Sequence, residues 1–580
     1  MSVFKQRIER LRVWMRTHGA SACVVPQSDP HLSEYIEPHW QLRAWFSGFT
    51  GSAGMLVVTP DEAALWTDSR YYIQAESQLQ GSSVVMMREE KDVAWKDWLN
   101  VRVPLTGKVV ADARLFSCRQ WRDLAGLLPM RDDAGFEDLW EDRPPLSYSK
   151  AFVLPLRLTG VEAAAKLHYL REELSLRGDK RFLLASLDCI AWLLNLRAAD
   201  LQFSPLLRSY LLVGAHGGEL FADARAFDDK SLSYLESLHI RVSAYEALQA
   251  RLEALQKGCL WGDFREIPAA VTRWSEVSHV ANPVFAWKAR KNAAELEAFH
   301  YAMLQDGVMW VKFLIWLQGQ LEQGSRFYES DVVDMLRQLK NERKDCWGES
   351  FESIVAMGDH GAIVHYKVNP ETDRLVTQGG LLLIDTGTQY AGATTDMTRT
   401  LSCGGLTQRQ RRDYTQVMRS HIALARAVFP KGTTGAALDG IARQPMWENG
   451  LDFGHGTGHG VGAMLHVHED PVRISWRSQF ALDEGMVSSD EPGVYREGSY
   501  GIRLENMLSV EKADETEFGC FLKFNVLTLC PFDVSVLLPD DMTDAEKAWL
   551  NEYHHRVKEA LKPHLSKEEY EWLNRYAYEI

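Results

Sequence analysis

The 580-residue sequence is poor in cysteine, carries no excess of basic charge, and contains no uninterrupted apolar run long enough to cross a bilayer. Its 8 cysteines are scattered and none forms a Cys-x-x-Cys pair, in a chain far longer than a disulfide scaffold, so reduced thiols are expected. Lysine and arginine number 64 against 79 aspartates and glutamates, and the net charge of −15 argues against a general nucleic-acid binder, although it leaves room for a local basic patch. The strongly apolar stretch 309–317 is interrupted by Lys312 and reads as the buried part of a helix beginning near Ala293. Residues 1–16 alternate charge with hydrophobics like an amphipathic helix and lack the uncharged core and cleavage site of a secretory leader. Together these absences set the expectation of a cytoplasmic protein with neither membrane nor nucleic acid as partner.

What is present is enough apolar material, 46% of residues, for several domain cores. Residues 1–145 alternate helical and strand-like patterns and end in the polar linker Glu141-Asp142-Arg143-Pro144-Pro145. A second α/β segment, 146–289, resembles the first in its aromatic-rich strand region, so an old duplication is expected despite the lack of an exact repeat. Residues 290–515 carry every candidate ligand, and 516–580 form a structural or dimer-forming extension. Within that extension 521–539 reads as strands, Thr543-Asp544-Ala545-Glu546 as a capping box opening a helix, and Ser566-Lys567-Glu568-Glu569 as the cap of a last short helix after Pro563.

Five metal-type ligands stand out in the order Asp385, Asp396, His459, Glu491, Glu505. Hard oxygen donors outnumber the one imidazole, a set suited to two divalent cations and hence to a two-metal hydrolase. Gly380-Leu381-Leu382-Leu383-Ile384-Asp385 reads as a buried strand ending in a carboxylate, and Thr394 to Thr400 as its partner. A turn centred on Tyr390-Ala391 would place Asp385 directly opposite Asp396, where like charges repel unless a cation lies between them.

In His455-Gly456-Thr457-Gly458-His459-Gly460-Val461-Gly462, four glycines let the backbone approach a site closely. His466 and His468 follow at alternate positions and share a face if that segment is extended. Glu491, in Ser489-Asp490-Glu491-Pro492-Gly493, sits where a strand gives way to a turn. In Gly501-Ile502-Arg503-Leu504-Glu505-Asn506 the two charges alternate with apolar residues and so face one way, and charged groups turned inward need partners.

These segments, together with Phe46 to Gly54, Trp66-Thr67-Asp68-Ser69-Arg70-Tyr71 and Ile190 to Arg197, closely resemble the pita-bread metallopeptidases, and among them the long three-domain aminopeptidase P branch. The resemblance covers nearly the whole chain. It implies an α/β (α+β) fold of two N-terminal creatinase-like domains and a C-terminal pita-bread catalytic domain. It implies an Xaa-Pro aminopeptidase that acts on short peptides through a hydroxide shared by two divalent metals, with manganese favoured and zinc or cobalt able to substitute. By position, Asp385 would bind one metal, His459 and Glu491 the other, and Asp396 and Glu505 both. Glu491 would also shuttle the proton, His365, His455 and His468 would assist catalysis, and Tyr495 and Arg503 would line the proline side. A proline in second position makes the scissile bond a tertiary amide with no N–H to grip and a ring that needs room. The resemblance also implies a homodimer in which the N-terminal parts border the cleft, with the aromatic-rich Trp40 to Phe49 segment as a candidate surface. Alternatives are a prolidase cutting Xaa-Pro dipeptides, which would keep all five ligands, and a non-catalytic pita-bread peptide-binding module, which characteristically loses them.

Overall fold

Apolar strands alternating with short helices build two six-stranded sheets of one plan in the first half of the chain. The computed structural model describes residues 2–104 and 106–580, and contacts divide it into a unit running to Leu154 with Val161–Val284 and a unit of Pro155–Gly160 with Phe285–Ile580. In the first sheet the strand order is Val85–Arg88, Ala63–Thr67, Met55–Val58, Ala22–Pro26, Val109–Ala111, Met130–Asp132; in the second it is Ile240–Ser243, Gly218–Ala222, Ser209–Gly214, Arg181–Leu184, Leu260–Gly262, Val277–His279. Along both, neighbouring strands run parallel, antiparallel, antiparallel, parallel, parallel. Two sheets with the same order and the same directions carry the mark of the duplication that sequence alone left without a repeat.

The expected amphipathic helix forms over Val3–His18, with Ser2 accepting from the Lys5 N–H at its start and Gly19, at φ +64°, ending it. One expectation fails in this unit. Trp40, Leu42, Phe46 and Phe49 are buried in the cores flanking the first sheet, so the Trp40 to Phe49 segment is not an aromatic surface. No local pattern in the sequence distinguishes a core aromatic cluster from an interface.

The long helix of the second unit is Ala293–Glu322, capped by Asn292 and Glu295 in a reciprocal box and buried through its middle. Two sheets then carry the chemistry. A three-stranded antiparallel sheet orders Ile354–Met357, Leu381–Thr386 and Met397–Ser402. A six-stranded antiparallel sheet orders Val428–Pro430, Gly519–Val526, Asn506–Thr516, Val487–Asp490, Gly458–Gly460 and Glu469–Ile474. The helices Gln408–Ala425, Gly435–Trp447 and Asp544–Leu561 pack on the six-stranded sheet around one apolar core.

Both terminal capping boxes form, at Thr543/Glu546 and Ser566/Glu569. The strand reading of 521–539 holds only as far as Val526; beyond it the chain runs irregularly through the short turns Val534–Val536 and Pro539–Asp541. Pro531 and Pro539 bring no N–H to a ladder, so pairing does not resume there in spite of the apolar composition. Among the described residues, no helix is long and apolar enough to cross a membrane.

Candidate metal centre

Asp385 is the penultimate residue of its strand, held on both sides by antiparallel partners, Ile354 and Thr398. Asp396 is not opposite it. The hairpin turns at Ala391–Gly392, with Gly392 at φ +89°, so the register is displaced by two residues and Asp396 lies diagonally across from Asp385. An even displacement preserves the face, and the two carboxylates still feel each other's charge.

His459 lies in the short strand Gly458–Gly460. A Cβ on Gly458 would stand 2.0 Å from the Ser489 carbonyl oxygen and one on Gly460 would stand 2.4 Å from that of Glu469. Only glycine lets neighbouring backbones close around the histidine there. The Glu491 N–H donates to Thr457 O at 2.7 Å, and the Glu505 N–H donates to Thr398 O at 3.0 Å. The first bond closes the end of the six-stranded sheet, and the second ties that sheet to the three-stranded one.

Three of the five candidate side chains come together in one group. Ligand atoms of Asp396, His459 and Glu505 lie within 4.8 Å of one another. His459 Nε2 is 3.4 Å from Asp396 Oδ2 and 3.5 Å from Glu491 Oε1. Arg503 donates from Nη2 to Asp385 Oδ2 at 2.6 Å, leaving the buried Oδ1 of that carboxylate with no hydrogen-bond partner. Four carboxylates in one buried place are costly as anions. Burial raises the Asp385 carboxyl to about 6, with Arg503 opposing and Asp396 adding to the rise. Burial likewise raises Glu491 to about 7, against the pull of His459 and Arg503. Glu505 is pushed well up by burial and by Asp396, Glu491 and Asp385. Burial lowers His459, but its hydrogen bond to Asp396 and the charge of Glu491 outweigh that and hold it at about 9. An orphaned carboxylate oxygen, crowded acids and one imidazole are the donor set that a pair of hard divalent cations would satisfy.

Beside the ligands runs a directed chain of hydrogen bonds. Arg503 Nη1 donates to the Tyr495 hydroxyl at 2.9 Å, Tyr495 lies 2.8 Å from His455 Nε2, and His455 Nδ1 lies 2.8 Å from Gly456 O. Because Arg503 can only donate, the Tyr495 proton is free to point to His455. Arg503 and Glu505 do face one way, and both reach the Thr398 hydroxyl, at 3.2 and 2.7 Å. Sequence reasoning overlooked Thr398, although its spacing of two from Asp396 was a usable signal.

His468 is half-buried, with its ring edge-on to His459 at 4.2 Å between centroids. The segment containing His466 and His468 is not extended. Met464 at φ +56° turns the chain, the strand begins only at Glu469, and the alternate-face reading fails. His365 is half-buried on the loop after the short helical turn Gly358–Ala362. That turn is pressed onto the strand Tyr500–Arg503, where a Cβ on Gly501 would stand 1.7 Å from Gly361 O.

Comparison with known proteins agrees with this geometry. The pattern of metallopeptidase family M24 matches residues 297–512, and that of the C-terminal region of peptidase M24 matches 520–580. Creatinase/prolidase N-terminal domain patterns match 7–141 and 142–295. A probable Xaa-Pro aminopeptidase P of Laccaria bicolor is 35% identical over 98% of this chain and 92% of its own. Aminopeptidase P1 of Arabidopsis thaliana is 32% identical over 98% of both chains. The crystal structure of X-prolyl aminopeptidase from Caenorhabditis elegans, described as a cytosolic enzyme with a di-nuclear active site, superposes with a TM-score of 0.95 at 30% identity over 100% of both chains.

Proposed function

The chain belongs to metallopeptidase family M24, and from that footing we propose that it is a metal-dependent Xaa-Pro aminopeptidase, releasing the N-terminal residue from peptides with proline in second position. The observation that carries the metal reading is the convergence of Asp396, His459 and Glu505 beside an Asp385 oxygen with no protein partner.

In this reading Asp385 would hold one cation, His459 and Glu491 the other, and Asp396 and Glu505 both. When bound, such a pair lowers the pKa of a shared water, polarises the scissile carbonyl and anchors the free α-amine. The chain's own groups supply the rest. Glu491 would take up a proton at its carboxylate and pass it to the leaving proline nitrogen. His365 and His468 would donate to the carbonyl oxygen and the developing oxyanion, His455 would assist by orienting the Tyr495 hydroxyl, and Tyr495 and Arg503 would border the proline ring.

The donor chemistry favours manganese, with zinc or cobalt as substitutes. A cytoplasmic location is supported by the cytosolic relative. A homodimer rests on the family resemblance alone. The division at 1–145, 146–289, 290–515 and 516–580 is supported by family patterns that change near the same places.

The deciding experiment compares Xaa-Pro-Xaa peptides with Xaa-Pro dipeptides in the presence of Mn(II), Co(II) or Zn(II). Release of the first residue from the longer peptide is expected. Cleavage of dipeptides alone would make the protein a prolidase, and no cleavage with any cation would restore the peptide-binding alternative.

A further inference from the structure

Behind the metal face lies a second, wholly buried polar system that the reaction does not explain. Asp490 and Asn506 are cross-strand partners in the six-stranded sheet, one residue from Glu491 and Glu505 respectively. From the helix Gln408–Ala425, His421 reaches between them: Nε2 is 3.0 Å from Asn506 Nδ2, and Nδ1 is 3.1 Å from Asp490 Oδ2 and 3.2 Å from Asp490 O. Arg399 completes the line, with Nη2 donating to Asn506 Oδ1 at 2.8 Å and Nη1 donating to the Glu505 carbonyl. Arg399, His421, Asp490 and Asn506 each have no more than trace exposure. Phe532 covers both cation and imidazole, 3.8 Å from the Arg399 guanidinium carbon and 5.4 Å from the His421 ring.

The directions in this line follow from chemistry. Arginine can only donate, so the Asn506 atom facing it is the oxygen and the atom facing His421 is the NH₂. His421 Nε2 must then accept, and its proton sits on Nδ1, aimed at Asp490. One donor at the head fixes every later group. The line therefore ties the strand end carrying Glu491 to the one carrying Glu505 from the side opposite the metals.

We propose that His421, oriented by Arg399 through Asn506, is a positioning residue that sets the separation of Glu491 and Glu505 for the cation pair. This rests on the ligand roles proposed above. Partners one step removed from metal ligands typically change metal affinity or activity about 10–100-fold.

The test measures Mn(II) binding by electron paramagnetic resonance, with kcat, KM and Tm, for wild type, His421→Leu, His421→Asn and Asn506→Asp. His421→Leu keeps bulk but breaks both links, and it is expected to bind the weaker Mn(II) at least about tenfold less tightly and to lose kcat more than KM changes. His421→Asn, which retains a donor toward Asp490, should recover part of both losses. Asn506→Asp turns an oxygen toward Nε2 and reverses the line while preserving shape, so it should reproduce the loss even if His421→Leu does not fold. Wild-type Mn(II) affinity and kcat in Asn506→Asp, or in a folded His421→Leu, would overturn the proposal alone. A wild type binding fewer than two Mn(II) would overturn both the proposal and the ligand roles beneath it.

Discussion

Arg503 donates to Asp385 across 2.6 Å with both side chains almost removed from solvent, so its guanidinium braces the acid that heads the ligand order. Removing one partner of such a buried pair typically costs about 3–5 kcal/mol, because the other charge is left uncompensated. Arg503→Ala is therefore expected to lower stability by roughly that amount in chemical denaturation and to remove measurable peptidase activity. Arg503→Lys keeps the charge but not the fork that also reaches Tyr495, and should fall between the two. A lysine variant equal to wild type in kcat/KM would remove the fork from the account.

Glu491→Gln is close to isosteric and leaves the backbone bond to Thr457 in place. The circular dichroism spectrum and Tm should stay near wild type while turnover falls at least about 10²-fold, the usual scale for general acid–base groups. Retained turnover would take Glu491 out of proton transfer.

Gly458→Ala would force a Cβ to within 2.0 Å of Ser489 O, a backbone atom that cannot swing away as a flexible side chain could. Overpacking of this kind commonly costs about 1–3 kcal/mol. Relief can come only by moving the strand that holds His459, so metal affinity should drop with stability. Denaturant midpoints and Mn(II) titration on the same samples check this, and unchanged values in both would contradict the packing argument.

How far the sequence reached depends on how local each signal was. An unbroken apolar run announced the Asp385 strand, and glycines crowded around His459 announced a close backbone approach. The hairpin register was missed by two residues because either half of Tyr390-Ala391-Gly392 could have held the turn, and only the positive φ of Gly392 decides it. Proline kept pairing from resuming after Val526, and a left-handed Met464 turned a segment that alternation would have extended. His421 was invisible for a different reason. It is a polar residue in an ordinary amphipathic helix, and its importance comes from what it meets in space, Asp490 and Asn506.

Glu266 in the first unit gives a pH dependence independent of metal. Its carboxyl is buried, accepts one bond from the Ser186 N–H, leaves Oε1 without a partner, and faces Asp263 and Asp188. Burial, aided by those neighbours, raises it from 4.5 to about 8. The folded state thus holds this proton more tightly than the unfolded chain. Its contribution is fully present below the unfolded value and is lost as pH rises toward about 8. Glu266→Gln cannot ionise, so its Tm should fall less than that of wild type between about pH 5 and 8, and parallel Tm profiles would exclude the effect.

The most direct test of the whole is an anomalous difference map from crystals of the protein grown with Mn(II). Two peaks are predicted, about 3.5–4 Å apart, enclosed by Asp385, Asp396, His459, Glu491 and Glu505. A single peak, or peaks away from these five side chains, would contradict the account.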